Sequence, residues 1–394
     1  KKKKKKYSYE AAVEMSMISL NFASLAAATV TLCAPERTRV EYEAAPLGLD
    51  VQLARFSWAL CADGAARSLT QAAYAIEVND VEANGKLLWA SGKVMSNRST
   101  NVQYGGPGQL PADGAFAWRV QWWSDATSAA SPWTEMSSFT TGLYADSDWK
   151  SAEWITMGKT VSPDHVLLRS PSFKLPAGKT VARAAAYIVG LGYYHLFIDG
   201  TKLSTHALGA FTTFEKRVLY DTWDATSLFT SEASALSEHV VAVELGSGFY
   251  TQHSVNPNRV KLCRLRLSLK FTDGTEMDVV TSAANASGWT VAEGPITHSD
   301  IYDGEYVDMR ANVFFYLPLH LTQLCSPFDS LPLTYLTCFI ILFRSSQRPT
   351  DRHRRRAVRC LAEDPVEVDP FHPRDVPLRS GALDILHADG VVRR

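Results

Sequence analysis

A dominant charge, a paired-cysteine motif, a long apolar run and an extended amphipathic helix are all missing from this chain, and each absence narrows what it can be. Lysine and arginine number 40 against 41 aspartates and glutamates, a formal net charge of -1, so no overall basic field draws the protein onto nucleic acid or anionic lipid. The cysteines at 33, 61, 263, 325, 338 and 360 are scattered without a CxxC pair, and their spacing predicts neither a zinc site nor a disulfide framework. The longest uninterrupted apolar stretch, within 313–343, is about 13 residues, short of the roughly 20 that a membrane helix requires. No membrane contact is expected. What is abundant is aromatic: 10 Trp, 15 Tyr and 17 Phe, within a composition that is 46% hydrophobic. At 394 residues the chain has room for two or three domains.

The hydrophobic period is that of strands. In "YAIEV", Tyr74, Ile76 and Val78 alternate with small or charged residues, and in "FAWRVQW" Phe116, Trp118, Val120 and Trp122 share one face. Turn clusters such as "YGGPGQLPADG" separate these runs; that cluster is glycine-rich but lacks the Lys-Ser/Thr of a phosphate loop. Residues 35–142 are expected to form a fibronectin III or immunoglobulin-like sandwich. Residues 143–312 are expected to form a larger, jelly-roll-like sandwich. Its clearest strand is "CRLRLSLKF", in which Cys263, Leu265, Leu267, Leu269 and Phe271 form a core face and Arg264, Arg266, Ser268 and Lys270 a wet one. The fold class is thus all-β, two consecutive sandwiches.

Both ends differ from this body. Residues 1–34 open on six lysines and carry a weak signal-like segment from Met15, interrupted upstream by Glu10 and Glu14; a tail leading into a first strand is expected, in a protein either cytoplasmic or secreted. Residues 313–394 are apolar and then basic, rich in Phe, Leu, Pro and Ser at first, with a composition like translated intron. They are expected to be an unpaired, aberrant tail, frame-shifted beyond Arg344. Arg352, Arg354, Arg355 and Arg356 lack interleaved aromatics and read as a solvated run, so no nucleic-acid partner is expected. Sequons stand at Asn97 and Asn285 and matter only on a secretory route.

Several short motifs occur together and in order. "GLGYYHLFIDGTKL" is followed by "ALGAFTTFEKRVLYDTWDATSLF" and "VVAVELGSGFY"; upstream lie "LLWASGKV", "AWRVQWW" and "DWKSAEWI", and downstream "DIYDGEYVDMR". From about Val40 to Arg310 this series resembles the N-terminal β-sandwich region of bacterial-type α-L-rhamnosidases. The resemblance implies a glycoside hydrolase that removes terminal α-L-rhamnose with inversion, using carboxyl groups on an (α/α)6 barrel farther along. No amphipathic pattern for such a barrel follows Arg310, so this chain is expected to be the accessory portion alone, inactive by itself, with rhamnose-containing glycosides or polysaccharides as partners.

The residues themselves allow more than one role. Gly190, Gly192 and Gly200 admit backbone conformations closed to other residues, and Asp199-Gly200 favours a type I′ turn; both specify fold. Tyr193, Tyr194, Phe249 and Tyr250 can stack on sugar rings or pack a core. Asp300, Asp303, Glu305 and Asp308 form the densest carboxylate cluster, suited to structure or to calcium more than to catalysis, and no other cofactor is expected. His195, His206, His239, His253 and His298 are dispersed, and none stands beside a nucleophile elbow. Two further readings remain open: a carbohydrate-binding sandwich without catalysis, and a fibronectin-like adhesion or scaffold protein.

Overall fold

A computed structural model describes residues 31–310, apart from 63–67, 126–128, 158–162, 207–208, 232–236, 252–258, 283–287, 303 and 309, together with 391–393. The regular secondary structure of the described residues is nearly all strand, with only two short 3-10 turns, Asp146–Trp149 and Thr226–Leu228. Among the described residues no helix is long and apolar enough to cross a membrane. The chain folds into two units. The first holds the described residues up to Pro46, Leu53–Leu110 and Ala115–Phe139; the second holds Leu47–Gln52, Pro111–Gly114 and the described residues from Thr140 on.

In the first unit one sheet joins Glu36–Val40, Arg55–Ala59 and Val102–Gln103, and the other orders Lys86–Ala90, Gln71–Asp80, Ala115–Ser124 and Ser137–Thr140, with Val94–Met95 paired to Gln71–Asp80. The alternation along Ala115–Ser124 sends Phe116, Trp118, Val120 and Trp122 inward, each at most 1% exposed. Arg119 on the opposite face donates to Glu77 at 2.8 Å. Phe56 from the smaller sheet meets Trp118 with ring centroids 4.6 Å apart, which makes the pair a sandwich core. The cysteine expectation is overturned here: Cys33 and Cys61, 28 residues apart, form a disulfide. No short motif announces this pair, because the strands and not the spacing bring the two Cα atoms to 5.1 Å.

The second unit is a sandwich of two five-stranded sheets. One orders Glu276–Val280, Leu262–Phe271, Val181–Leu191, Val218–Asp224 and Val391–Arg393; the other orders Thr201–Lys202, Tyr193–Ile198, Val241–Gly246, Val166–Arg169 and Thr290–Glu293. Between them lie Ala186, Ile188, Leu265 and Leu267 from the first sheet and Val166, Leu168, Leu196, Val243 and Leu245 from the second, all fully buried. Val391–Arg393, expected to be unpaired, adds in parallel beside Val218–Tyr220; the rest of the expected aberrant tail lies outside the described residues.

The stretch Val189–Leu203 serves as the corner of this sandwich. Val181–Leu191 belongs to one sheet and Tyr193–Ile198 to the other, and Gly192 between them, with φ +106°, turns the chain across. Asp199 (φ 51°) and Gly200 (φ 79°) then form a tight turn closed by the pair Ile198 and Thr201. The Asp199 carboxylate also accepts from the Val240 amide at 2.7 Å and contacts Nδ1 of the buried His239 at 2.6 Å. Gly200→Val is expected to destabilise this unit by roughly 1–3 kcal/mol, because a β-branched residue is strained at positive φ. An unchanged melting temperature would show that the turn carries no strain.

One face of Leu262–Phe271 departs from expectation. Cys263, Leu265, Leu267, Leu269 and Phe271 are buried, but Arg264, Arg266 and Ser268 are buried too, at 7%, 2% and 1% exposure. They meet a second apolar cluster, which includes Tyr187, Tyr220, Trp149 and Leu143, and a layer of carboxylates. Its hub is Asp113. That carboxylate accepts from Arg183 at 2.6 Å, Tyr187 at 2.7 Å and Ser268 at 2.7 Å, and lies 3.0 Å from Arg266. Lys270 donates to its backbone carbonyl at 2.6 Å. Burial alone would raise this carboxyl, but Arg183, Lys270 and Arg266 prevail and hold it down at about 2.

Candidate functional site

A cleft of about 410 Å³ opens on the outer face of the second sheet of the second unit. Strand register builds it. Along Tyr193–Ile198 the side chains of Tyr194, Leu196 and Ile198 point into the core, so Tyr193 and His195 point out. Their cross-strand partners are Gly246 and Glu244. Opposite His195, Glu244 contacts its Nδ1 at 2.9 Å. Tyr193 lies against Gly248, from which a Cβ would be only 3.0 Å from the ring, and against Gly209, from which it would be 3.4 Å away. The two glycines thus form a close-fitting slot for one tyrosine ring.

The far wall is the hairpin Ile296–Asp300 and Gly304–Val307. Asp164 and His165, just before strand Val166–Arg169, hold it in place. Asp164 accepts from the Ser299 amide at 2.9 Å and pairs with His298 at 3.4 Å, while Ser247 donates to its other oxygen at 3.2 Å. The Gly294 amide donates to the His165 carbonyl at 3.0 Å, and the Ile296 amide approaches His165 Nδ1 at 3.4 Å. His165 Nε2 then faces Glu244 at 3.7 Å. Burial lowers the pKa of His165, with Glu244 and Glu305 opposing, so the ring is a neutral donor near pH 7. Lys261 lies beneath this wall, 1% exposed, donating to the Pro163 carbonyl at 2.7 Å; burial lowers its pKa to about 8 against the pull of Asp164.

The residues singled out from sequence are distributed unevenly. Tyr193 lines the cleft. Tyr194 is 5% exposed and is engaged in packing: its hydroxyl donates to Asp221 at 2.6 Å and accepts from Trp223 at 2.9 Å. Phe249 stays half-buried beside Phe211, which is 71% exposed, with ring centroids 4.9 Å apart. Tyr250 is buried edge-on against Phe214, with the Arg259 guanidinium 5.1 Å from its ring. Asp300 and Glu305 line the cleft; Asp300 caps the Tyr302 amide at 2.8 Å, and Glu305 receives Ser299 Oγ at 3.3 Å. Asp308 is instead paired with Arg310, whose hydrogen bonds hold its carboxyl at about 2. Asp303, His253 and Asn285 lie outside the described residues. Among the described residues no group of three or more His, Cys, Asp and Glu side chains has the arrangement to hold a metal ion; Asp303, one of the four carboxylates of the acidic segment, is not among them.

Among the residues invisible to sequence reasoning are Asp164 and His165. They sit in "SPDHV", which carries no motif, and only the pairing of Val166–Arg169 with Val241–Gly246 brings them beside Glu244. The second unit is thus a jelly-roll-like sandwich with a polar cleft on one of its sheets, in a chain that also carries a separate immunoglobulin-like unit.

Comparison with known proteins fixes the family. Residues 35–145 match the family described as "Rha78A-like, N-terminal immunoglobulin domain", and residues 179–318 match the "Alpha-L-rhamnosidase N-terminal domain". An α-L-rhamnosidase of Formosa agariphila is 30% identical over 299 residues, covering 67% of this chain and 30% of that protein. One from Alteromonas sp. is 31% identical over 67% of this chain and 29% of its own length. The solved α-L-rhamnosidase of Dictyoglumus thermophilum superposes with a TM-score of 0.60 at 27% identity, over 72% of this chain and 32% of that one. That of Streptomyces avermitilis, complexed with L-rhamnose, shares the fold with a TM-score of 0.58 at 19% identity, over 73% and 44%. The chain carries the two N-terminal β-sandwich domains of the α-L-rhamnosidases. It spans about a third of the length of the curated relatives it matches.

Proposed function

We propose that this chain is the accessory region of a glycoside hydrolase acting on terminal α-L-rhamnosides, and that the cleft beside Tyr193 binds a rhamnose-bearing glycan without cleaving it. The observation that carries the reading is the juxtaposition, on one outward sheet face, of the slotted Tyr193 ring with Glu244, Asp300 and Glu305. A deoxyhexose offers an apolar CH face to an aromatic ring and hydroxyls to carboxylates; a charged acceptor strengthens such hydrogen bonds to about 1.5–3 kcal/mol each. The activity for which the relatives are named and the L-rhamnose complex of the Streptomyces avermitilis protein support rhamnose as the sugar.

Hydrolysis with inversion needs two carboxyl groups about 6.5–9.5 Å apart, one of them tuned as an acid. Here Glu244 is held by His195 and His165 and Glu305 by Ser299, contacts that fix each carboxylate as an acceptor for a sugar hydroxyl. Two measurements test the proposal. Saturation-transfer NMR is expected to show L-rhamnose contacting the protein, with the signal lost in Tyr193→Ala and affinity reduced about tenfold in Glu244→Gln, the equivalent of about 1.4 kcal/mol. An aryl α-L-rhamnoside is expected to release no product above the buffer blank, before or after Asp303→Asn and Glu305→Gln. Turnover that either substitution abolishes would place an active site in the sandwich and overturn the reading. Binding that survives Tyr193→Ala would remove the cleft from it.

A further inference from the structure

We propose that Asn97 is an N-glycan acceptor and that the first unit matures in an oxidising, glycan-transferring compartment. Two independent features of that unit lead there. The first is the sequon Asn97-Arg98-Ser99, which follows the short strand Val94–Met95. Its backbone is pinned from below: buried Gln71 donates through Nε2 to the Ser96 carbonyl at 3.0 Å and the Arg98 carbonyl at 2.8 Å, and the Trp58 amide donates to the Ser99 carbonyl at 2.9 Å. Gln71 is itself fixed, its Oε1 accepting from the Trp58 indole at 2.9 Å. With the carbonyls on both sides drawn inward, Asn97 is left exposed. A bulky modification there displaces no core contact.

The second feature is the Cys33–Cys61 disulfide, whose Cα separation of 5.1 Å fits a bridge without backbone movement. Disulfides form and persist where thiols are not continuously reduced, in the secretory lumen and outside the cell. Closing this one removes two electrons and two protons from the two thiols, delivered to a lumenal disulfide-exchange oxidant, which is reduced to its dithiol. In that same compartment the Asn97 carboxamide nitrogen attacks the anomeric carbon of an oligosaccharide carried on a lipid diphosphate. An N–C bond forms, the C–O bond to the diphosphate breaks, the lipid diphosphate departs and one amide proton passes to a base on the transferase.

The test expresses the full chain through a eukaryotic secretory pathway and maps its peptides before and after enzymatic removal of N-glycans. A glycopeptide spanning Asn97 is expected, together with the Cys33–Cys61 peptide in non-reducing digests. Asn97→Gln and Ser99→Ala should each abolish the glycopeptide while leaving the melting temperature unchanged. Unmodified Asn97 in secreted, folded protein would overturn the acceptor assignment, as would a glycan found at Asn285 alone. Free thiols at Cys33 and Cys61 in that protein would overturn the compartment.

Discussion

Asp113→Asn should lower the stability of the second unit by about 3–5 kcal/mol, the cost of leaving buried cations without their counter-charge. Asparagine has nearly the same shape and tolerates the left-handed backbone of this position, φ 53°, so the substitution removes charge and little else. Arg266 is 2% exposed and would keep Asp278 as an anionic partner, Lys270 would keep Glu276 at 3.5 Å, and Arg183 would lose the carboxylate it pairs with at 2.6 Å. Denaturant unfolding measures this directly, and a change below about 0.5 kcal/mol would mean that the layer is solvated and inconsequential. The pH dependence provides a second readout. The folded carboxyl, at about 2, lies below its ordinary value of 3.8, so the folded state binds this proton less readily than the unfolded chain does. The stabilisation is therefore complete above about pH 4, declines as the pH falls toward 2, and amounts to about 2 kcal/mol. The Asp113→Asn protein should lack that portion of the acid-unfolding curve.

Gly192→Ala should be at least as damaging, by about 3 kcal/mol or more. A Cβ at this corner would lie well inside contact distance of the Gly246 carbonyl oxygen and would have to adopt φ +106°. The obstacle is backbone on both sides, held in the pair Tyr193 and Gly246, so no side chain can swing away to relieve it. Gly274→Ala separates the two contributions. Gly274 has φ +80° with nothing within 4 Å of its Cβ direction, so that substitution carries the conformational strain alone, about 1–2 kcal/mol. Equal losses at the two positions would show that the collision with Gly246 is absorbed.

The alternation in Ala115–Ser124 and Tyr193–Ile198 was legible because a strand with one wet face writes its burial directly into a period of two. The Asp199-Gly200 turn was legible because its φ values restrict which residues can occupy it. Leu262–Phe271 misled for a physical reason: its arginines alternate as solvated residues do, and whether Arg266 meets water or the buried Asp113 is decided by a partner far away in the sequence. The cleft was half legible. Tyr193, Asp300 and Glu305 were visible as an aromatic and an acidic segment, but Glu244 reads as one more polar residue of a strand, and Asp164 and His165 as loop. The Cys33–Cys61 pair was hidden because a single bridge has no spacing rule.

The second unit borrows Leu47–Gln52 and Pro111–Gly114 from within the stretch of sequence that otherwise builds the first. Its boundary therefore cannot be drawn as a single cut. A clone beginning at Leu143 would omit Asp113 and would ask Arg183, Arg266 and Lys270 to share a low-dielectric layer with no common anion. Gene fusion or domain exchange at that junction would transplant an electrostatic defect along with the sandwich, and the graft would need an aspartate supplied at the same place by its new neighbour.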